Sequence, residues 1–195
     1  MSEAAPGTSG APAPVTEFTL TVATPDEMAA LGRRIAGQLR AGDIVALDGP
    51  LGAGKTTLTR GLGAALGVRG TVTSPTFVIA RTHPRADGLP PLVHVDAYRL
   101  GSAAELDDLD IDFAGSIVVV EWAAGMIDGI SDSVLRVSIA RPTGGAVGGG
   151  SAVAGAVASG TVPDAATAEV VDEVVEARVV TITAVGERWR QHPFA

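Results

Sequence analysis

The sequence contains no cysteine, which excludes disulfide frameworks, thiolate metal sites and cysteine nucleophiles. Aromatic residues are scarce, at 4% of 195 residues, so a core has to be built from Val, Leu, Ile and Ala within a hydrophobic fraction of 46%. Cations are in deficit. Lys and Arg number 14 against 22 Asp and Glu, a formal net charge of −8, which leaves no basic excess to drive binding to nucleic-acid phosphates. If RNA is involved, a partner is expected to hold it. A long run rich in Leu, Ile or Phe is missing too. The longest uncharged stretch, residues 142–163, has the length of a membrane span but is made of small residues, so it does not read as one. Residues 1–15 carry Glu3, no basic cluster and no apolar block. They read as a disordered Ala/Pro/Gly/Ser tail and not as a secretory signal. These absences point to a cytoplasmic protein with no membrane association and one domain over residues 16–195. The last scarcity is the most informative: beside 13 Arg there is one lysine, Lys55. A chain that uses Arg everywhere else needs a reason to use Lys there.

The patterning alternates strands and helices. Residues 18–22 alternate as a strand. Thr24, Pro25 and Glu27 then form a helix start, with an N-cap, a first-turn proline and a capping-box acid. Met28, Leu31, Ile35 and Leu39 follow at helical spacing, and Gly42 is expected to stop the helix. The apolar run 44–47 predicts a strand buried on both faces. A glycine-rich loop and a helix carrying Leu58, Leu62, Ala65 and Leu66 come next, ended by Gly67. Residues 76–81 and 92–95 read as a hairpin or meander. Ser102 and Glu105 cap a short helix, and the acids between Glu105 and Asp112 read as its solvated face. Further strands are predicted at 117–120, 134–140 and 177–184. Residues 141–176, rich in Gly, Ala and Val and then acidic, read as a disordered insertion in the last hairpin.

Residues 49–56, Gly-Pro-Leu-Gly-Ala-Gly-Lys-Thr, fit the pattern G-x-x-x-x-G-K-[ST] between a buried strand and a helix. Small residues at Gly52, Ala53 and Gly54 let backbone N–H groups wrap phosphates, with Thr57 continuing into the helix, whose N-terminus adds positive charge. The Lys55 ammonium is a compact point charge that reaches the β- and γ-phosphates, a task for which an Arg fork has the wrong shape. The Thr56 hydroxyl can ligate Mg²⁺. Such a loop requires an acid at the carboxyl end of a neighbouring buried strand. Glu121, after the all-apolar strand 117–120, is the metal candidate. Asp96, after residues 92–95, is the candidate for supporting Mg²⁺ or positioning the attacking water. His94 reads as a structural histidine, His83 and His192 as loop residues, and the three do not cluster as metal ligands. The hydroxyls of Thr73, Ser74 and Thr76 around Pro75 make either an ordinary turn or a γ-phosphate-sensing switch.

Missing motifs narrow the class further. A guanine-specifying N-K-x-D box cannot exist, because the single lysine is already in the loop. No LSGGQ-type signature is present, and no basic residue lies between Arg99 and Arg136 to form a kinase lid. The expected architecture is an α/β three-layer P-loop NTPase fold with a mixed, mainly parallel central sheet, and the expected activity is Mg²⁺-dependent ATP hydrolysis. Two other readings stay open: a small-molecule kinase, and a nucleotide-gated binding module with little hydrolysis.

Residues 49–61 of the loop and its helix, Ser74-Pro-Thr-Phe77, His94-Val-Asp96-Ala-Tyr98-Arg99-Leu100 and Glu121-Trp122 together resemble the TsaE (YjeE) family of small bacterial ATPases. The resemblance implies an ATPase needed for threonylcarbamoylation of adenosine 37 in tRNA (t6A). It would act with TsaB and TsaD, and reach tRNA through them, without transferring the group itself. It matches Gly52 to Thr57 to the nucleotide loop, Thr56 and Glu121 to the Mg²⁺ ligands, Asp96 to the acid tied to hydrolysis and Trp122 to the neighbouring tryptophan. Pro50, where the family commonly has an acidic or polar residue, and the tail and insertion depart from its pattern.

Overall fold

The computed structural model describes residues 15–86, 88–141 and 176–189. Seven strands form a single sheet: β1 (Val15–Val22), β2 (Ile44–Asp48), β3 (Ala80–His83), β4 (Leu92–Asp96), β5 (Ile117–Glu121), β6 (Val134–Ala140) and β7 (Arg178–Val185). Their order across the sheet is β1-β7-β6-β2-β5-β4-β3. The centre, β6-β2-β5-β4, is parallel, while β7 and β3 are antiparallel additions from hairpins and β1 pairs antiparallel with β7. The parallel strands are the apolar runs because both of their faces are covered. In β2, Val45 and Leu47 face one layer and Ile44 and Ala46 the other.

Helices α1 (Pro25–Ala36) and α2 (Lys55–Leu66) cover the Val45 face. The start of α1 follows the sequence pattern: Glu27 N–H donates to Thr24 Oγ1 at 3.1 Å, and Ala23 N–H donates back to Glu27 Oε2 at 2.6 Å. Its end does not. The helix stops at Ala36, and Leu39 lies in the turn beyond it, where Gln38 N–H bonds Ile35 O and Leu39 N–H bonds Ala36 O. Gly42, at φ +89°, belongs to the turn into β2. The two helices approach closely because they meet at glycines. A Cβ on Gly32 would stand 2.9 Å from Leu62 N, and one on Gly61 would stand 2.7 Å from the Ala29 carbonyl carbon.

The opposite face is covered thinly, by the five-residue α3 (Ala103–Asp107) and by turns that bring in Ala97, Ala123 and Ile127. Leu106 of α3 is buried, while the acids Glu105, Asp107, Asp108, Asp110 and Asp112 are exposed. Residues 76–79, expected to be strand, form a turn instead. Pro75 O accepts from Val78 N–H and Ile79 N–H, Ile79 adopts φ +67°, and β3 begins only at Ala80. The stiff proline and the capture of the Thr76 side chain by β4 use up the first four residues of that apolar run. His83, expected in a loop, is the last residue of β3 and is buried. Of the tail expected at 1–15, residues 1–14 lie outside the described residues and Val15 already belongs to β1; of the insertion expected at 141–176, residues 142–175 lie outside them, as does His192. No helix among the described residues is long and apolar enough to cross a membrane.

Candidate functional site

The loop after β2 climbs out of the sheet at its carboxyl end, where open parallel sheets place their ligands. Gly49, Gly52 and Gly54 all take positive φ, at +150°, +72° and +115°, so the tight wrap depends on residues without a Cβ. Gly54 leads directly into α2, whose first turn has neither an acidic residue nor a side-chain cap. The positive end of that helix is therefore free to meet an anion. Leu51, at the crest of the loop, is 85% exposed.

Lys55 is buried behind the loop. Its ammonium donates to Gly49 O at 2.7 Å and Pro50 O at 3.1 Å, and lies 3.6 Å from the centre of the Trp122 ring. Burial pushes its pKa below the usual lysine value, and the Glu121, Asp96 and Asp48 carboxylates oppose that shift. Trp122 holds φ +61°, pinned by its N–H to Leu47 O, and its ring also meets Tyr98 at 5.2 Å. Pro50 lacks an N–H, so at this position the loop offers only the carbonyl that receives Lys55.

The parallel register brings the acids together. Asp96 pairs with Glu121 across β4 and β5, and Glu121 with Leu47 across β5 and β2, so both carboxylates stand beside the root of the loop. Thr56 Oγ1 donates to Glu121 Oε1 at 2.9 Å. Thr76 Oγ1 donates to Asp96 Oδ2 at 2.7 Å, and Tyr98 N–H donates to Asp96 Oδ1. Since the one Thr76 hydroxyl hydrogen is committed to Asp96, the 2.7 Å contact between Ser74 and Thr76 has Ser74 as donor. Residues 51–57, Ser74, Thr76, Asp96, Glu121 and Trp122 line a cleft of about 220 Å³. A second cleft of about 190 Å³ opens on the other side of Gly52, Ala53, Gly54 and Thr57, against Thr24, Met28 and Arg178. The eight positions singled out from sequence as nucleotide, metal or hydrolysis residues thus occupy one end of the sheet.

One member of the site was not legible in the sequence. His94 was read as structural, but its Nε2 lies 2.9 Å from Glu121 Oε1, with both side chains buried. Residues two apart on a strand face the same side, and His94 is two before Asp96. The signal was present, but it becomes a contact only once β5 is known to lie beside β4.

The donor set bears on which metal could be held. Thr56 and Glu121 offer hard oxygen ligands, and no group of three or more His, Cys, Asp or Glu that could hold a metal occurs among the described residues. That fits Mg²⁺, which takes one or two protein oxygens and completes its shell with phosphate and water.

A family model described as threonylcarbamoyl adenosine biosynthesis protein TsaE matches residues 22–145. A protein of Streptomyces coelicolor named tRNA threonylcarbamoyladenosine biosynthesis protein TsaE is 50% identical over 165 residues, covering 83% of this chain and 93% of that one. Proteins of the same name in Mycobacterium tuberculosis and Bacillus subtilis are 48% and 38% identical, over 63% and 60% of this chain and 79% and 73% of their own lengths. The crystal structure of Bacillus subtilis YdiB superposes with a TM-score of 0.59 at 30% identity, covering 90% of each chain. With a model match across most of the domain and relatives identical at up to half of the aligned positions, this chain belongs to the TsaE family.

Proposed function

We propose that this chain is a Mg²⁺-dependent ATPase with a P-loop NTPase fold, working in the cytoplasm with TsaB and TsaD in the t6A modification of tRNA. The single observation that carries the reading is the pairing of Thr56 with Glu121 at 2.9 Å, directly below the glycine loop that holds Lys55. One hydroxyl from the first turn of α2 and one carboxylate from the end of β5 make the donor pair that Mg·ATP requires. The names of the relatives supply the pathway.

In this reading the amides of Gly52, Ala53, Gly54, Lys55, Thr56 and Thr57 bind the phosphates, and the Lys55 ammonium leaves the Gly49 and Pro50 carbonyls for the β- and γ-oxygens. Thr56 and Glu121 hold Mg²⁺, which neutralises charge developing on those oxygens. Asp96, fixed by Thr76 and Tyr98, orients the attacking water. No covalent nucleophile is needed, since phosphoryl transfer is largely positioning and charge stabilisation. The negative net charge suits a protein that reaches tRNA through partners.

The test is phosphate release from Mg·ATP by the purified chain, alone and with cognate TsaB and TsaD. Release that rises with the partners supports the proposal. Nucleotide bound without release in either state replaces it with a nucleotide-gated module, and phosphate appearing on an added acceptor replaces it with a kinase.

A further inference from the structure

His94 sits in the middle of β4, fully buried between Val93 and Val95, in a strand that is otherwise apolar up to Asp96. Burying an imidazole there is unfavourable unless its nitrogens are satisfied. Only one of them is. Nε2 meets Glu121 Oε1 at 2.9 Å, while Nδ1 is buried without a hydrogen-bond partner. A carboxylate oxygen accepts and does not donate, so Nε2 carries a proton in this contact. The same Oε1 also accepts from the Thr56 hydroxyl. Two donors converge on one oxygen, and no described residue donates to Oε2, although Glu121 lines the cleft beneath the loop.

We infer that His94 is a positioning residue for Glu121: its Nε2–H holds Oε1 in place, so that Oε2 remains the oxygen presented to a divalent cation. The inference rests on the Mg²⁺-dependent reading above. The two donors differ in what they do when a cation arrives. Thr56 is itself a candidate ligand, and its hydroxyl turns toward the ion. His94 cannot follow, being locked in the strand with apolar neighbours on both sides. The carboxylate therefore keeps one anchor throughout, and its orientation does not have to be re-established at each turnover. A partner holding a metal-binding side chain from behind acts on metal affinity more than on binding of the remaining ligand. A histidine that only filled space would affect stability and leave metal affinity unchanged.

The experiment compares the wild-type chain with His94→Leu, which removes the donor, and His94→Gln, which restores an N–H at a similar reach. Calorimetry measures affinity for a non-hydrolysable ATP analogue without metal, then titrates Mg²⁺ into the nucleotide complex. In His94→Leu, Mg²⁺ affinity is expected to fall by about ten- to a hundredfold with metal-free nucleotide affinity unchanged, and His94→Gln is expected to recover most of the loss. Side-chain ¹⁵N spectra of the apoprotein should show His94 as the Nε2–H tautomer, and Glu121→Gln should shift that resonance. Unaltered Mg²⁺ affinity in His94→Leu, or an Nδ1–H tautomer in the wild type, overturns the inference. If His94→Leu does not fold, the tautomer and the His94→Gln titration decide it. If the wild type itself takes no nucleotide or Mg²⁺, the ATPase reading fails instead, while the spectra still report on the pairing.

Discussion

The two ends of the sheet use the same kinds of residue to opposite effect. At the amino end, the buried carboxylate of Asp43 is fully engaged by its own chain. Oδ1 accepts from Ser133 Oγ at 2.6 Å, and Oδ2 accepts from Arg40 N–H at 2.8 Å and pairs with the Arg188 guanidinium at 3.0 Å. Trp189 Nε1–H donates to the same Ser133, Arg188 stacks on Trp189 at 4.0 Å and also donates to Gln38 O, so the turn after β7 is tied down against β2 and β6. At the carboxyl end, Lys55 rests on two loop carbonyls and an indole, Glu121 has an oxygen with no donor among the described residues, and Leu51, Phe77 and Tyr98 stand in solvent. A carboxylate engaged on both oxygens holds the fold, whereas one with an oxygen left open keeps its binding capacity for something else.

That contrast can be broken from either side. The largest effect is expected from Lys55→Ala, which should cut phosphate release by at least about a hundredfold while leaving the thermal midpoint of the apoprotein nearly unchanged. A large fall in that midpoint would mean that the lysine serves the fold. At the other end, Asp43→Ala strands Arg188 without its partner and should cost about 3 kcal/mol of unfolding free energy in a urea titration, with release per folded molecule retained.

A smaller effect involves His83, which lies toward the amino end of β4. Burial, reinforced by His94 and Arg81, lowers its pKa from 6.5. The unfolded chain then binds a proton that the folded chain refuses, so stability is complete above about pH 6.5 and declines as the pH falls below it. His83→Leu should flatten that decline in denaturant titrations at pH 7.5 and 5.5, and an unaltered slope would assign it to other groups. The smallest effect is expected from Phe77→Ser. The ring is 92% exposed, so stability should change by no more than about 0.5 kcal/mol. A larger loss would show that the apolar rim of the open end contributes to folding.

How much was legible in the sequence varies with the range of the signal. The capping box at Thr24, the apolar run of β2, the glycine loop and the αL glycine at Gly67 were all readable because each is decided by a few neighbouring residues. The same local reasoning failed at residues 76–79, where β-forming composition lost to a proline turn and to a hydroxyl bond with Asp96. It failed again at Leu39, whose helical spacing continues past the point where Gly37 ends α1.

By itself, then, the sequence determined the local elements, the glycine loop with its single lysine, and two acids at strand ends, because propensity, capping and backbone permissiveness act over a few residues. Only the tertiary structure decided that β5 lies between β2 and β4. That one placement sets Glu121 beside Asp96, within reach of Thr56 and in front of His94. These contacts join residues from 25 to 65 positions apart. No local preference encodes them; they follow from which apolar faces the sheet and its covering layers bury together.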